Sequence, residues 1–167
     1  MDLSVLKDII ISLCALGGLI LGIYNMTKDK KKEEVTVTVK PISIHKMGDG
    51  KNYGHSEIEI QKNREFVTLG LKVINLSKFD ISIVETGFKI SDNPDGERLV
   101  FPEAMILGEG IELPFRIPSR ESITIAFKPE QLPPEGLRKQ LESVFVTTAC
   151  ELEFVGTSNI ISDYKNV

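Results

Sequence analysis

An all-β domain behind one membrane-spanning helix is what this sequence predicts, and three observations predict it. Residues 9–26, IIISLCALGGLILGIYNM, carry no formal charge, and Lys28, Lys30, Lys31 and Lys32 come directly after them. From Val35 onward, about seven or eight short stretches alternate apolar and polar residues with period two, the pattern of half-buried strands. Turn residues separate them about every ten positions and helical periodicity is almost lacking, which is the spacing of an immunoglobulin-like antiparallel β-sandwich. The sequence has no Trp and only two Cys, so the antibody hallmarks are missing. A small β-barrel is the alternative architecture.

The 167 residues divide on this reading into three parts. Residues 1–27 are a transmembrane anchor with its helix at about 5–26, residues 28–34 a charged juxtamembrane linker, and residues 35–167 the β-sandwich domain. At about 1.5 Å per residue, the apolar run extends to about 27 Å, close to the hydrocarbon thickness of a bilayer. The residues that close it, Tyr24, Asn25 and Met26, with Thr27 and the lysine cluster after them, offer no small-x-small cleavage site, so the helix is expected to be retained as an anchor. One Lys, Lys7, stands before the run and four stand after it, and this bias places the carboxyl-terminal side in the cytoplasm. The expected location is therefore the plasma (inner) membrane, single-pass, with the domain facing inward.

Lys28, Lys30, Lys31 and Lys32 also form the candidate membrane surface. Each can draw on anionic headgroups by about 1 kcal/mol, although Asp29, Glu33 and Glu34 dilute the effect and a plain stop signal accounts for most of these lysines. Within the run, Gly18 and Gly22 form Gly-x-x-x-Gly, and Cys14 extends the row by one turn. Small residues at this spacing share one helix face and let a second helix approach, so a homodimer through Cys14, Gly18 and Gly22 is expected as one partnership. The competing account is that glycine is simply common in membrane helices.

Beyond the anchor, about 130 residues suffice for one domain with its own core. Residues 35–167 carry 15 Lys/Arg against 19 Asp/Glu, and an acidic domain without a basic stripe excludes nucleic acid as the expected partner. The cysteines, Cys14 and Cys150, lie far apart in sequence and make no disulfide framework.

The strands are placed by parity. Val35, Val37 and Val39 alternate with polar residues, and Ile42 and Ile44 continue the beat after Pro41, which marks a bend or an edge. Residues 46–56 form a polar loop with Gly48, Gly50 and Gly54, and residues 57–60 alternate again. Val67, Leu69, Leu71 and Val73 share one parity and make residues 65–76 the clearest central strand. Residues 80–91 come next, with a parity change near Gly87 that fits a bulge. Asn93-Pro94-Asp95-Gly96 is a turn, residues 99–101 a short strand, and residues 110–117 and 121–127 a hairpin around Pro118-Ser119-Arg120. Three prolines and Gly136 limit residues 128–142 to a turn or two of helix. Residues 143–149 and 151–155 give a last hairpin near Cys150, and the tail from Gly156 has no clear period.

Three of these phrases carry a resemblance: Leu71-Lys72-Val73-Ile74-Asn75-Leu76-Ser77, Leu113-Pro114-Phe115-Arg116-Ile117-Pro118 with Glu121-Ser122-Ile123 after it, and Val144-Phe145-Val146-Thr147-Thr148-Ala149-Cys150. They resemble segments of small uncharacterised bacterial single-pass membrane proteins with a β-sandwich domain. The likeness covers about half of the domain and consists of strands and turns. It implies architecture and brings no activity with it.

Side chains with chemistry are few. His45, His55 and Asp49 surround the glycine-bearing loop, but their spacing matches no established zinc pattern and loop histidines are usually solvated. Asp92, Asp95 and Glu97 sit at a turn without the alternating order of a calcium loop. Gly48-x-Gly50 lacks the Lys and Ser/Thr of a phosphate loop, and Cys150 lacks a His partner, which favours a buried or hairpin cysteine. Asn25 and Asn75 open glycosylation sequons that the inward topology makes chance matches. No catalytic residue, metal ligand or cofactor is therefore expected. The function expected is a membrane-anchored, non-enzymatic binding or scaffold module whose partners are membrane lipid and another protein. The alternative is an outward-facing adhesin-like or envelope protein, and an enzyme built on His45 and His55 is a third reading.

Overall fold

The computed structural model describes residues 3–32, 34–91, 98–101, 103–106 and 109–167, and the chain divides into two units, Met1–Glu34 and Val35–Val167. The first unit is one helix, α1 (Leu3–Lys32), 30 residues long. It exceeds the expected 5–26 at both ends, and at the carboxyl end residues 27–32 hold neither Gly nor Pro, so nothing halts the helix and it runs through the lysines. Most of the expected linker is thus helical. Every side chain from Ile11 to Lys28 is exposed, apolar ones on all faces. By length and composition this helix is apolar enough to cross a membrane, a test that a signal sequence passes too.

The second unit is mostly β. Its strands are β1 (Val37–Lys46), β2 (Tyr53–Ser56), β3 (Phe66–Asn75), β4 (Ile81–Ile90), β5 (Arg98–Val100), β6 (Glu103–Ile106), β7 (Glu109–Glu112), β8 (Phe115–Ile117), β9 (Ser122–Phe127), β10 (Leu141–Thr148) and β11 (Glu153–Gly156). Two short helices, α2 (Glu135–Arg138) and α3 (Asn159–Tyr164), come after β9 and β11. One antiparallel sheet runs β2-β1-β3-β9 and is extended by the β6-β7 hairpin. The other runs β11-β10-β4-β5, with β8 also paired to β4. A single buried cluster joins Val37, Val39, Leu69, Leu71, Val73 and Phe127 of the first sheet to Ile81, Ile83, Phe88, Val144 and Val146 of the second. Inside it, the ring of Phe101 stacks on Phe127 at 4.4 Å and meets Phe88 edge-on at 5.5 Å. The alternation read from the sequence is therefore the inward face of each sheet.

Several elements depart from their expected form. β1 is buried on both faces from Pro41 to His45, because Ile42 and Ile44 form a second small cluster with Ala126 on the side away from Val37 and Val39. Pro41 does sit at an edge, since β2 pairs with β1 only from Ser43 onward. The register slips between Ile44 and His45, so Val67 falls out of the row of Leu69, Leu71 and Val73 and packs with Ile42 and Ile44. Residues 57–60 are not a strand: Ile58 is 73% exposed while Ile60, of the same parity, is buried. Part of the expected loop, Tyr53–Ser56, pairs as β2 instead.

The expected hairpin of 110–117 with 121–127 does not form either. β7 pairs with β6, β8 crosses to β4 in the second sheet, and β9 returns to β3 in the first. The turn between β8 and β9, where Arg120 has φ 64°, is thus an arch from sheet to sheet. The tail also has a role. Ser158 caps α3 by accepting from the Ile160 amide at 3.3 Å, and Ile160, Ile161 and Tyr164 enter the core from one face of that helix.

Candidate functional site

Strand direction sorts the loops into two ends. At the entry end, where the chain joins β1, lie residues 76–80, 118–121 and 149–152; at the opposite end β1 stops and β3 begins. The opposite end holds the candidate histidine. His45 is only 3% exposed, on the last turn of pleat in β1, beside Gly54 of β2. A side chain at Gly54 would place Cβ 2.8 Å from His45 Nε2 and 2.8 Å from Met47 Sδ, so glycine there is what makes room for the imidazole. Arg64 donates from Nη1 to His45 Nε2 at 2.7 Å and touches Met47 Sδ at 3.2 Å.

A guanidinium can only donate, so His45 Nε2 must accept and the imidazole is neutral with its proton on Nδ1. Nδ1 is buried and has no hydrogen-bond partner among the described residues. Burial first, then the Arg64 and His55 charges, pushes the His45 pKa below the ordinary imidazole value. His45 is therefore set up as a neutral, inward group. His55 pairs with Ile44, one position from the His45–Gly54 pair, and so lies on the other face of the hairpin, exposed. Asp49 accepts from the amides of Lys51 and Asn52, both at 3.0 Å, and from the Asn52 side chain; those bonds hold its pKa down and close the loop. The structure thus separates His45, His55 and Asp49. Among the described residues, no three His, Cys, Asp or Glu side chains gather as a metal cage. Asp92, Asp95 and Glu97 lie outside the described residues.

Beside Arg64 opens a groove of about 850 Å³, between residues 59–66 and the last turn of the chain, lined by Glu59, Lys62, Arg64, Phe66, Asp163 and Asn166 among others. Its walls are held from both sides. Asp163 accepts from the Ile60 amide at 3.0 Å, and the Glu59 carbonyl accepts from Ser43 Oγ at 3.1 Å. Tyr164 packs on Phe66 at 5.8 Å, lies under the Arg138 guanidinium at 4.9 Å and donates to the Pro133 carbonyl at 3.4 Å. Its pKa is raised by burial, against the opposing pull of Arg138. A mixed-charge groove with a fixed frame is suited to holding a polar chain or loop by paired hydrogen bonds.

A second polar surface covers the outer face of the other sheet. Arg98 bridges Glu85 at 2.9 Å and Glu153 at 3.1 Å, Lys89 also pairs with Glu153, and the Arg98 guanidinium lies 5.0 Å from the Phe145 ring centre. Phe145 is fully buried beneath this lattice, over Gly87, where a Cβ would lie 1.8 Å from the Leu99 carbonyl oxygen. These ion pairs are half exposed and act mainly as a roof over an aromatic ring.

Arg64, Asp163 and Arg98 escaped the sequence reading. A lone Arg or Asp in a polar stretch carries no periodic signal, and its partner is distant in the chain. Cys150 lies exposed in the turn after β10, 3.2 Å from Thr148 Oγ1. In α1, Cys14, Gly18 and Gly22 are exposed and open space surrounds both glycines, so the small-residue row is uncovered. Lys28 sits 5.8 Å from the Tyr24 ring centre. Lys30, Lys31 and Lys32 are helical, and their side chains lie outside the described part of the chain. Asn25 is exposed on α1, whereas Asn75 is fully buried with its amide bonded, so the second sequon is closed in the folded chain. Compared with family models, curated proteins and solved structures, the chain matches none.

Proposed function

We propose that this chain is a single-pass, membrane-anchored, non-enzymatic binding or scaffold module, with an immunoglobulin-like β-sandwich on the cytoplasmic side. The observation that carries the binding part is the framed groove between residues 59–66 and α3, whose Lys62, Arg64, Glu59 and Asp163 offer both signs of charge to a partner protein. One core shared by the two antiparallel sheets supports the sandwich. An exposed apolar helix of spanning length supports the anchor, and the Lys excess after it supports the inward orientation. Tethering raises the effective concentration of the domain toward other membrane proteins, so a weak groove is enough. A homodimer through Cys14, Gly18 and Gly22 would double that valency.

Two experiments test the reading. In intact cells or sealed spheroplasts, added protease should leave the domain uncut until detergent is present; digestion before detergent favours the outward-facing, adhesin-like alternative. After mild crosslinking, a partner recovered with the full chain should be lost when Lys62 and Arg64 are both changed to Glu. Recovery equal to the parent would remove the groove from the account. The enzyme reading built on His45 loses ground to the Arg64 contact, which occupies the nitrogen that would accept a proton.

A further inference from the structure

The entry end is tied together by hydrogen bonds between its loops. Thr36 accepts from the Leu76 amide at 2.9 Å, the Ser77 carbonyl accepts from Ser119 Oγ at 2.9 Å, and Asp80 accepts from the Ser119 amide at 2.9 Å. The Ala149 amide reaches the Ser82 carbonyl at 2.9 Å and brings the turn between β10 and β11 to the same end. This end exposes three large apolar side chains: Leu76 at 45%, Phe79 at 38% and Leu152 at 44%. Its charges nearly cancel. Arg116 pairs with Asp80 at 2.9 Å, and Lys78 and Arg120 stand against Glu121 and Glu151.

Four residues of chain lead from the end of α1 at Lys32 to Thr36, so whatever orientation the two units take, the covalent link is at most about 14 Å when fully extended. If α1 spans a bilayer, that length keeps Thr36, and with it the entry end, within about 14 Å of the end of the helix and so close to the membrane surface. We propose that the entry end is a membrane-contact surface, on which Leu76, Phe79 and Leu152 seat in the interfacial layer of the bilayer that holds α1. This rests on the anchor reading above. The near-neutral charge makes the seat apolar in origin, so it needs no anionic lipid, in contrast to the lysines at the end of α1.

The test uses the full chain with Cys14→Ser, labelled at the native, exposed Cys150 with an environment-sensitive fluorophore and reconstituted into phosphatidylcholine vesicles with or without phosphatidylglycerol. Lipids spin-labelled near the headgroup should quench the Cys150 label equally in both compositions, and should not quench a label placed by Asp49→Cys (with Cys150→Ser) at the opposite end. Leu76→Asp, Phe79→Asp and Leu152→Asp together should abolish the quenching while the chain still floats with the vesicles. These positions are exposed, and an unchanged thermal melt verifies the fold. Flotation without quenching in the parent, or quenching that survives the triple change, would overturn the proposal while leaving the anchor standing. Chain that fails to float would overturn the anchor reading and this inference with it. Quenching that disappears as the chains are diluted with excess lipid would assign the apolar end to a second copy and would also overturn it.

Discussion

The side-chain amide of Asn75, in one sheet, donates to the main-chain carbonyl of Ile117, in the other, at 3.1 Å. The same Nδ2 reaches the carbonyls of Phe79 and Pro118 at 2.9 and 3.0 Å, and Asn75 Oδ1 accepts from the Ser77 amide at 2.9 Å. One fully buried residue thereby closes both arches that carry the chain from sheet to sheet at the entry end.

Asn75→Ala would leave the buried Ile117 carbonyl and Ser77 amide without this partner and would also remove the bonds to the part-buried carbonyls of Phe79 and Pro118. The expected cost is about 2–4 kcal/mol, since each buried group left unpaired costs about 1–3 kcal/mol and local relaxation recovers part of it. Urea unfolding of the detergent-solubilised chain measures it, with a lower midpoint at unchanged slope. Loss of less than about 1 kcal/mol would mean that the backbone arches hold without the amide.

His45 makes stability depend on pH with a defined sign. Its folded pKa lies below the ordinary value of about 6.5. Above that pH both folded and unfolded chains hold it neutral and it contributes no slope. As pH falls below about 6.5 the unfolded chain takes up the proton first, so folding stability declines until the folded pKa is passed. Arg64→Met removes the nearest positive charge and the donor to Nε2. The variant should be less stable at neutral pH and should lose less on acidification, because protonating the imidazole no longer opposes Arg64. Thermal melts between about pH 7.5 and about pH 5, on both sides of the usual value, compare the two, and parallel curves would refute the coupling.

Leu71→Asp and Ile58→Asp separate buried from apparent periodicity. Leu71 is fully buried in β3, and a carboxylate there must either remain charged without a partner or be neutralised, so unfolding of the domain is expected, a loss above about 4 kcal/mol. Ile58 is 73% exposed, and its replacement should change stability by less than about 0.5 kcal/mol. Circular dichroism melts of both variants check this. A Leu71→Asp variant that melts like the parent would place that face of β3 in solvent.

The sequence by itself determined the apolar helix, the mostly β character of the domain after it, and the inward face of the longer strands, because these depend on local hydrophobic period. Leu69, Leu71 and Val73 or Ile81 and Ile83 announce their burial to any reader of parity. Tertiary structure decided which strands pair and which exceptions bury. Residues 110–127 read as one hairpin, yet β8 and β9 belong to different sheets; the choice rests on Asn75 and on β4 and β3, about 30–50 residues earlier, which no local window contains. Ile58 and Ile60 share a parity, yet Ile60 joins the core, its amide bonded to Asp163 near the far end of the chain, while Ile58 is exposed. The Arg64–His45 pair and the groove beside it arise the same way, from residues whose types are ordinary and whose meeting is a product of the fold.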